Sequence, residues 1–179
     1  IPKKRTGKRI AVVGSGPAGL ACADQLNSAG HRVVVFERDD AIGGILRYGI
    51  PEFKLEKKII TRRIKILEKE GIKFKTKVNI GVDYKARQLV DEFDAVCVAC
   101  GSRTPRDLDI EGRSLSGIHF AMDYLIQSNK RMQGKIRPAK ELIDAKAKQV
   151  VVIGGGDTGA DCVGVEHRQK AACVMQIEI

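Results

Sequence analysis

The sequence predicts an α/β fold in which a parallel sheet is flanked by helices. Three observations predict it: short β-branched apolar runs alternate with helical segments, a glycine-rich turn follows the first apolar run, and the same turn returns 140 residues later. The glycines are Gly14, Gly16 and Gly19 in the first turn and Gly154, Gly156 and Gly159 in the second. Each turn therefore belongs to a predicted strand–helix–strand (βαβ) unit.

The first βαβ unit is predicted from apolar runs and from residues that end helices. Residues 9–14 are a short β-branched apolar run, which indicates a buried strand. A helix is predicted over 17–29, and Gly30 ends it. Residues 32–37 are a second buried strand, so the whole unit fits within about 30 residues.

The middle of the chain continues the alternation of helices and strands. The predicted elements are a glycine-rich loop at 38–54, a helix at 55–70, a strand at 72–78, a helix at 83–93, a buried strand at 94–100, a loop at 101–117 and a helix at 118–132. The first of these loops is long, and long loops inside compact domains are often functional.

The pattern then restarts after a linker predicted over 133–147. The second unit is a strand at 149–154, a helix at 157–170 and a strand at 173–179. We therefore predict one nucleotide-binding domain over 1–132 and the start of a second over 148–179. A single βαβ unit cannot cover both faces of its sheet, so we expect the second domain to be truncated and the chain to be a fragment.

Composition and charge limit the function classes. Hydrophobic residues make up 43% of the 179 residues, which favours a packed core over disorder. The net charge is +10, much of it in residues 1–9 and 54–77, and this basic surface is either simply solvated or attractive to an anion. Nucleic acid is not expected as a partner because no recognition signature is present. No membrane association is expected either, since no apolar stretch reaches about 18 residues and no signal-peptide pattern follows the basic start.

The cysteines and histidines predict no metal or disulfide chemistry. Five cysteines, an odd number, lie within apolar runs, which favours reduced thiols in a cytoplasmic protein. Cys97 and Cys100 form a C-x-x-C within a predicted strand, where residues three apart face opposite ways. His31, His119 and His167 lack metal-ligand spacing, so no metal site is predicted.

The glycine turns have the features of dinucleotide sites. A strand-to-helix turn leaves N–H groups unpaired at the positive end of the helix dipole, and a pyrophosphate matches both. Gly14 permits the tight turn, Gly16 lets phosphates approach and Gly19 lets the helix pack on the strand. Pro17 suits the first helical position. Glu37, eighteen residues beyond Gly19, is placed to accept hydrogen bonds from a ribose.

The second turn repeats this arrangement, with Glu178 nineteen residues after Gly159. An acid there favours a free ribose 2′-OH and so NADH, whereas a 2′-phosphate usually needs Arg or Lys nearby. Glu178 could equally be an ordinary charge at a strand end, so NADH and NADPH both stay open. Two dinucleotide sites indicate a flavin and a nicotinamide, whose hydride transfer requires no acid–base pair from the protein, so no catalytic residue is predicted.

The sequence also resembles a known family over nearly its whole length. Its opening, "GKRIAVVGSGPAGLACADQLNSAGHRVVVFERDDAIGGILRYGIPEFKL", resembles the FAD-binding opening of the glutamate synthase small subunit family and is similar to the matching domain of dihydropyrimidine dehydrogenase. The likeness continues through "DAVCVACGSRTPRDLDIEG", "GIHFAMDYL" and "KQVVVIGGGDTGADCVG". The stretch "GGILRYGIPEFKL" is far more specific than the glycine turn, and "GIHFAMDYL" indicates the glutamate synthase branch.

The resemblance implies a Rossmann-like FAD-binding domain, followed by the first βαβ unit of an NAD(P)H-binding domain. It implies FAD contacts from Gly14, Ser15, Gly16, Pro17, Ala18 and Gly19 at the pyrophosphate, Glu37 and Arg38 at the adenosine ribose, Gly43, Gly44, Ile45 and Leu46 on the flavin side, and Lys54, Ile80, Ala99, Cys100 and Gly101 beyond these. It implies NAD(P)H contacts from Gly154, Gly156, Asp157, Thr158 and Gly159. Cys100 departs from the family's Thr and so removes a hydroxyl.

The resemblance further implies an oxidoreductase in which electrons pass from NADPH or NADH to FAD. They would continue through iron–sulfur clusters, in a region absent from this sequence, to a large subunit that makes glutamate or to another acceptor. We expect that the isolated fragment does not turn over. The alternative is a non-catalytic dinucleotide-binding or interaction module, which would bind nucleotides weakly and would not be reduced by either nicotinamide.

Overall fold

The computed structural model describes residues 2, 4–135 and 142–178, so residues 136–141 of the predicted linker and the terminal residue of the last predicted strand lie outside it. The elements are β1 Arg9–Val13, α1 Pro17–Ser28, β2 Arg32–Phe36, α2 Ile45–Tyr48, α3 Lys57–Lys69, β3 Lys73–Lys75, α4 Ala86–Glu92, β4 Ala95–Val98, α5 Ala121–Met132, β5 Gln149–Ile153, α6 Asp157–Arg168 and β6 Cys173–Ile177. Within the described residues, no helix is both long and apolar enough to cross a bilayer.

Four strands form a parallel sheet in the order β3-β2-β1-β4. Arg9 of β1 pairs with Arg32 of β2, and Ile10 of β1 pairs with Ala95 of β4. The two central strands, β1 and β2, are apolar on both faces because helices cover both sides of the sheet. The predicted parallel sheet with flanking helices is confirmed.

A hydrophobic core lies on each face of this sheet. On one face, α1 and α3 pack against the strands, with Val12, Ala23, Val33, Val35, Leu67 and Ile72 buried. On the other face, Phe36 packs with Leu89 of α4 and with the rings of Tyr84 and Phe93, whose centroids lie 5.5 and 5.9 Å away. Each apolar side of the sheet therefore has its own helical cover.

The second βαβ unit forms a separate two-stranded parallel sheet, β5-β6. Val152 of β5 packs with Cys162 and Val165 of α6 and with Tyr124 and Leu125 of α5. The predicted second strand–turn–helix–strand unit is therefore present.

The chain divides into two compact units. Unit 1 comprises Ile1–Arg47 and Lys57–Ser102, and unit 2 comprises Tyr48–Glu56 and Arg103–Ile179. These units follow contacts within the chain, and the domain bounds at 1–132 and 148–179 stay a prediction. Segment 48–56 joins unit 2 partly because the buried side chain of Asn129 donates hydrogen bonds to the carbonyls of Tyr48 (2.9 Å) and Gly49 (3.1 Å).

Several element boundaries differ from the prediction. The strand expected at 72–78 contains only Lys73–Lys75, because Lys77 has a φ of +58°, which extended backbone cannot accommodate. The loop expected at 38–54 contains the short helix α2, which begins directly after Gly43 and Gly44, both with positive φ. The helix expected at 118–132 begins only at Ala121.

Candidate dinucleotide-binding sites

The first glycine turn lies between β1 and α1 and is closed by backbone contacts. Gly14 has a φ of +103° and its N–H donates to the carbonyl of Phe36 at 2.8 Å. A Cβ at Gly14 would lie 2.3 Å from the carbonyl oxygen of Ala99, and one at Gly19 would lie 2.0 Å from the carbonyl oxygen of Gly14. Both positions therefore require glycine for packing inside the protein.

Gly16 differs from Gly14 and Gly19, the other two glycines of the motif, because the space where its Cβ would lie is open. It is the N-cap of α1, and a Cβ built there would meet no described atom within 4 Å. Among the described residues, no side chain caps this helix. The N–H groups of its first turn are therefore left for a ligand, at the positive end of the helix dipole. The turn thus offers a cradle that a side chain at Gly16 would fill.

Glu37 lies at the carboxyl end of β2, against this turn. Its carboxylate is 4% exposed and accepts hydrogen bonds from the backbone N–H of Ser15 (3.1 Å), the hydroxyl of Ser15 and the backbone N–H of Asp39 (2.9 Å). These bonds hold the buried carboxylate beside the first turn, as the sequence predicts. The link through the Ser15 side chain has no signal in the spacing of the motif.

The second pair of glycines in the predicted flavin-side segment also reaches the first turn. The N–H of Gly43 donates to the hydroxyl of Ser15 at 3.0 Å, and a Cβ at Gly44 would lie 2.9 Å from the Cα of Gly16. Leu46 continues the segment into α2, where its N–H donates to the carbonyl of Gly43 at 3.0 Å. Ile45 is half exposed. The structure therefore brings two glycine-rich segments together that are distant in sequence.

The segment after β4 also packs against the first turn. The N–H of Ala99 donates to the carbonyl of Val13 at 2.8 Å, which sets the Ala99 carbonyl against Gly14. The Cys100 thiol lies 3.8 Å from the same Val13 carbonyl, and Gly101 has a φ of +67° and is exposed.

Three further residues predicted to bind FAD have the following neighbours. Arg38 is exposed two residues beyond β2. Ile80 forms an isolated bridge with Tyr84 and packs against the Phe36 core. Lys54 lies in unit 2 and forms an ion pair with Asp161 of α6. The hydrogen bond from the Lys54 ammonium to this carboxylate raises the pKa of Lys54.

The second turn reproduces the backbone geometry of the first. The N–H of Gly154 donates to the carbonyl of Ile177 at 2.7 Å, and Gly154 has a φ of +118°. A Cβ at Gly159 would lie 2.2 Å from the carbonyl oxygen of Gly154, whereas one at Gly156 would meet no described atom within 4 Å. Gly156 is again the N-cap, and Asp157 and Thr158 begin α6 as exposed residues.

Glu178 occupies in unit 2 a place comparable to that of Glu37 in unit 1. A Cβ at Gly155 would lie 2.6 and 2.8 Å from the two carboxylate oxygens of Glu178, so the carboxylate lies against the second turn. The neighbouring Gln176 also reaches the turn, since its amide donates to the carbonyl of Gly154 at 2.8 Å. Sequence reasoning missed Gln176, because a strand glutamine carries no signal of this contact.

The segment before α3 packs on the face of α6 that carries Asp161, Gly164 and Arg168. The ring of Phe53 lies under the guanidinium of Arg168, 3.5 Å from ring centroid to Cζ, and against the Cα of Gly164, where a Cβ would be 2.6 Å from the ring. Together with the ion pair between Lys54 and Asp161, these contacts fix the segment on the helix that follows the second turn. The i, i+4 spacing of Asp157 and Asp161 was the only hint in the sequence that Asp161 shares a helix face with the turn.

The buried face of α6 carries ionisable groups in an apolar setting. Burial raises the pKa of the Cys162 thiol to about 12 and raises the pKa of the Glu166 carboxyl above its usual range. One carboxyl oxygen of Glu166 has no hydrogen-bond partner among the described residues. Tyr124 lies nearby, and its hydroxyl bonds to Gln169 at 3.0 Å.

The five cysteines are all free thiols. Cys97 contacts Cys22 of α1, with 3.4 Å between their sulfurs, and burial together with this contact raises the pKa of Cys22 to about 11. Cys100 instead faces the first turn, so the two cysteines of the C-x-x-C have different neighbours. Across residues 4–135 and 142–178, no group of three or more His, Cys, Asp or Glu side chains is arranged to hold a metal ion.

Known proteins share both the sequence and the fold of this chain. The family model described as pyridine nucleotide-disulphide oxidoreductase matches residues 8–178. The glutamate synthase (NADPH) small chain of Bacillus subtilis strain 168 is 60% identical over 176 residues, which cover 98% of this chain and 36% of the relative. The glutamate synthase (NADH) of Schizosaccharomyces pombe is 49% identical over 180 residues, covering 99% of this chain and 8% of the relative.

Solved structures of oxidoreductases have the same fold. FprA from Mycobacterium tuberculosis, in its complex with NADPH, is similar with a TM-score of 0.74 and 28% identity, over 89% of this chain and 36% of that chain. This chain therefore spans little more than a third of the length of either the Bacillus subtilis relative or FprA.

Proposed function

Because the chain belongs to the pyridine nucleotide-disulphide oxidoreductase family, we propose that it is the electron-transfer flavoprotein module of a glutamate synthase small-subunit-like oxidoreductase. In this role the first turn binds FAD and the second binds NADPH or NADH. The reducing equivalents pass onward to a large subunit that makes glutamate. The 60% identity to a protein named as a glutamate synthase small chain supports this assignment.

The observation that carries the proposal is the matched pair of open helix N-termini. Gly16 and Gly156 are both N-caps without a side-chain cap from the described residues, and both face open space. A diphosphate placed there would accept hydrogen bonds from backbone N–H groups and would interact with the helix dipole. Two such cradles in one chain fit two dinucleotides.

The residues around the first turn would bind and orient FAD. The first-turn N–H groups of α1 would bind the pyrophosphate, and Glu37 would accept hydrogen bonds from the adenosine ribose. Gly43 and Gly44 would let the flavin side approach because they carry no Cβ. Ala99, Cys100 and Gly101 would close the opposite wall. Arg38, Ile45, Leu46, Lys54 and Ile80 stay proposed contacts from the family resemblance alone.

The residues around the second turn would bind the nicotinamide nucleotide. Gly154 and Gly159 shape the turn, Gly156 leaves the space, and Asp157 and Thr158 begin the helix. When bound, the nicotinamide would supply a hydride and the flavin would accept it, so the protein would need only to orient the rings and exclude water. The five free thiols support a reducing, cytoplasmic compartment.

The test compares two matched variants, Gly16→Val and Gly156→Val. Each adds a side chain to open space in an extended backbone conformation, so neither should disturb folding. We expect Gly16→Val to weaken FAD binding by about 100-fold, since two or so charge-assisted hydrogen bonds are lost, and to leave NADPH binding unchanged. Gly156→Val should do the reverse. Binding is measured by flavin and NADPH fluorescence titrations of the purified chain.

The same preparation separates the oxidoreductase from a non-catalytic nucleotide-binding module. Anaerobic addition of NADPH and of NADH to the FAD-loaded chain should bleach the flavin absorbance with one of them. A chain that takes up no FAD, or whose FAD binding is equal in the two variants, contradicts the assignment of the first turn. A chain that binds both nucleotides without bleaching supports the binding module instead.

A further inference from the structure

Three cationic side chains occupy the amino ends of three neighbouring strands. The first glycine turn lies at the opposite, carboxyl end of these strands. Arg9 begins β1, Arg32 begins β2 and Lys73 begins β3. Arg9 pairs directly with Arg32, and Lys73 pairs with Val34, two residues beyond Arg32. Because side chains alternate along a strand, all three lie on the same face of the sheet.

This arrangement has an electrostatic cost that no ion pair within the described residues offsets. Like charges directly opposite on neighbouring strands are destabilising. Within the described residues, none of the three side chains forms an ion pair with a carboxylate. The nearby carboxylate of Asp94 is used by the ammonium of Lys8 and by the backbone N–H of Arg9, each at 2.8 Å. A local conflict without a structural gain is typical of a functional position.

The three side chains line a pocket of about 400 Å³ together with Arg5, Val33, Val34 and Gly71. We call this the basic pocket. No acidic side chain lines it, and its volume is within the range of small-molecule sites. The guanidinium of Arg9 lies over the ring of Phe93, 4.9 Å from its centroid, and this contact orients the group.

Arg5, the fourth cation of the basic pocket, has a structural role. Its guanidinium donates to the side-chain oxygen of Asn27 (2.8 Å) and to the carbonyls of His31 (2.6 Å) and Glu70 (3.2 Å). Arg5 therefore binds the carbonyls that follow α1 and α3. The negative ends of both helix dipoles lie at this amino end of the strands. A Cβ at Gly71 would lie 2.9 Å from Arg5, so glycine keeps this position open. Arg9, Arg32 and Lys73 remain without such a role.

We propose that the basic pocket binds a small phosphate-bearing ligand with at least two negative charges. Arginine guanidinium groups bind phosphate oxygens in a bidentate geometry, and a nearby lysine adds a point charge. The ligand neutralises the like charges of Arg9, Arg32 and Lys73 and so stabilises unit 1. The site is independent of the proposed flavin chemistry, because it lies at the amino ends of the strands and the first glycine turn lies at their carboxyl ends.

The test is a titration of the ¹⁵N-labelled chain with inorganic pyrophosphate, followed residue by residue by NMR. We expect saturable shifts at the amides of Val33, Val34 and Gly71, separate from any response at the glycine turns. The double variant Arg32→Gln/Lys73→Gln should weaken this binding at least tenfold. The matched control Arg62→Gln/Lys65→Gln removes the same charge from exposed positions of α3 and should stay within twofold.

Each other outcome overturns the proposal. Equal weakening in both double variants means general electrostatic attraction rather than a site. Shifts confined to the glycine turns place the ligand elsewhere. A hexaglutamate peptide that binds with the same shifts and equal affinity would assign the pocket to acidic peptides rather than phosphates. Unchanged spectra away from the pocket show that the variants fold, and the single variant Lys73→Gln replaces the double variant if they do not.

Discussion

Replacing Gly19 by alanine should destabilise unit 1, although the same change normally stabilises a helix by about 0.5–1 kcal/mol. The added Cβ would lie 2.0 Å from the carbonyl oxygen of Gly14, whereas ordinary contact begins at 3.4 Å, so the shortfall is 1.4 Å. That oxygen belongs to the backbone and cannot rotate away. The oxygen cannot shift away from the Cβ either, because the N–H of Gly14 is hydrogen-bonded to the carbonyl of Phe36 and Gly14 packs against the carbonyl of Ala99.

The only relief is for α1 to move away from β1, which opens the packed core around Val12 and Ala23. Overpacking by a methylene costs about 1–3 kcal/mol, and a shortfall of this size against rigid backbone belongs at the top of that range. We therefore expect Gly19→Ala to lower the free energy of unfolding of unit 1 by about 3 kcal/mol. The urea midpoint should fall by about 1–3 M, since m values of small domains are about 1–3 kcal/mol/M.

The assay is urea unfolding of the purified chain, with amide hydrogen exchange in β1 and α1 to isolate unit 1 from unit 2. The control is Gly16→Ala, three residues away in the same turn, where the Cβ meets no described atom within 4 Å. Its stability should stay within about 0.5 kcal/mol of the parent chain. A Gly19→Ala chain as stable as the parent, or more stable, would refute the packing argument.

Three further changes test other parts of the structure. Asp94→Asn should lower the urea midpoint at pH 7, because hydrogen bonds from the Arg9 backbone and the Lys8 ammonium lower the pKa of Asp94. Stability gained above pH 3.8 is lost as the pH falls through that lowered pKa, so parent and variant should converge in acid. Glu166→Gln should raise the midpoint at pH 7 and leave it unchanged below pH 4.5, because burial raises the pKa of Glu166 and its ionisation opposes folding. Asn129→Ala leaves two buried carbonyls without their donor and should cost about 2–3 kcal/mol, seen as faster hydrogen exchange in segment 48–56; unchanged exchange would contradict this role.

The regular part of the fold was predictable because it depends on short-range patterns. Buried β-branched runs, a helix-ending glycine and the glycine turns predict both βαβ units to within a few residues. The right-handed crossover rule fixes the hand of each βαβ connection, whereas the sheet order β3-β2-β1-β4 was not predicted from the sequence. The length of β3 was overestimated because the alternation continues in the sequence past Lys75, whereas the positive φ of Lys77 is incompatible with a strand.

The parts that were not predictable depend on contacts between distant segments. The family resemblance assigns Lys54 to the flavin, which stays a prediction, and the ion pair of Lys54 with Asp161, 107 residues later, has no signal in the sequence. No periodicity specifies which compact unit a loop will join, because that choice depends on single side chains such as Asn129 and Phe53. The link from Glu37 through Ser15 to Gly43 is of the same kind, since each residue is visible in the sequence but the hydrogen bonds between them are not.

The sequence assigns different roles to the three glycines of the first turn, and the structure shows which of these roles depend on packing inside the protein. At Gly14 and Gly19 a Cβ would collide with backbone, so these two residues are required by the protein whether or not a ligand binds. At Gly16 the space is open, so packing alone would tolerate a side chain there. The absence of one is explained only by something that must approach the helix N-terminus. Because Gly156 repeats this property in unit 2, the argument for a ligand depends on the central glycine of each motif, and its substitution separates binding from folding.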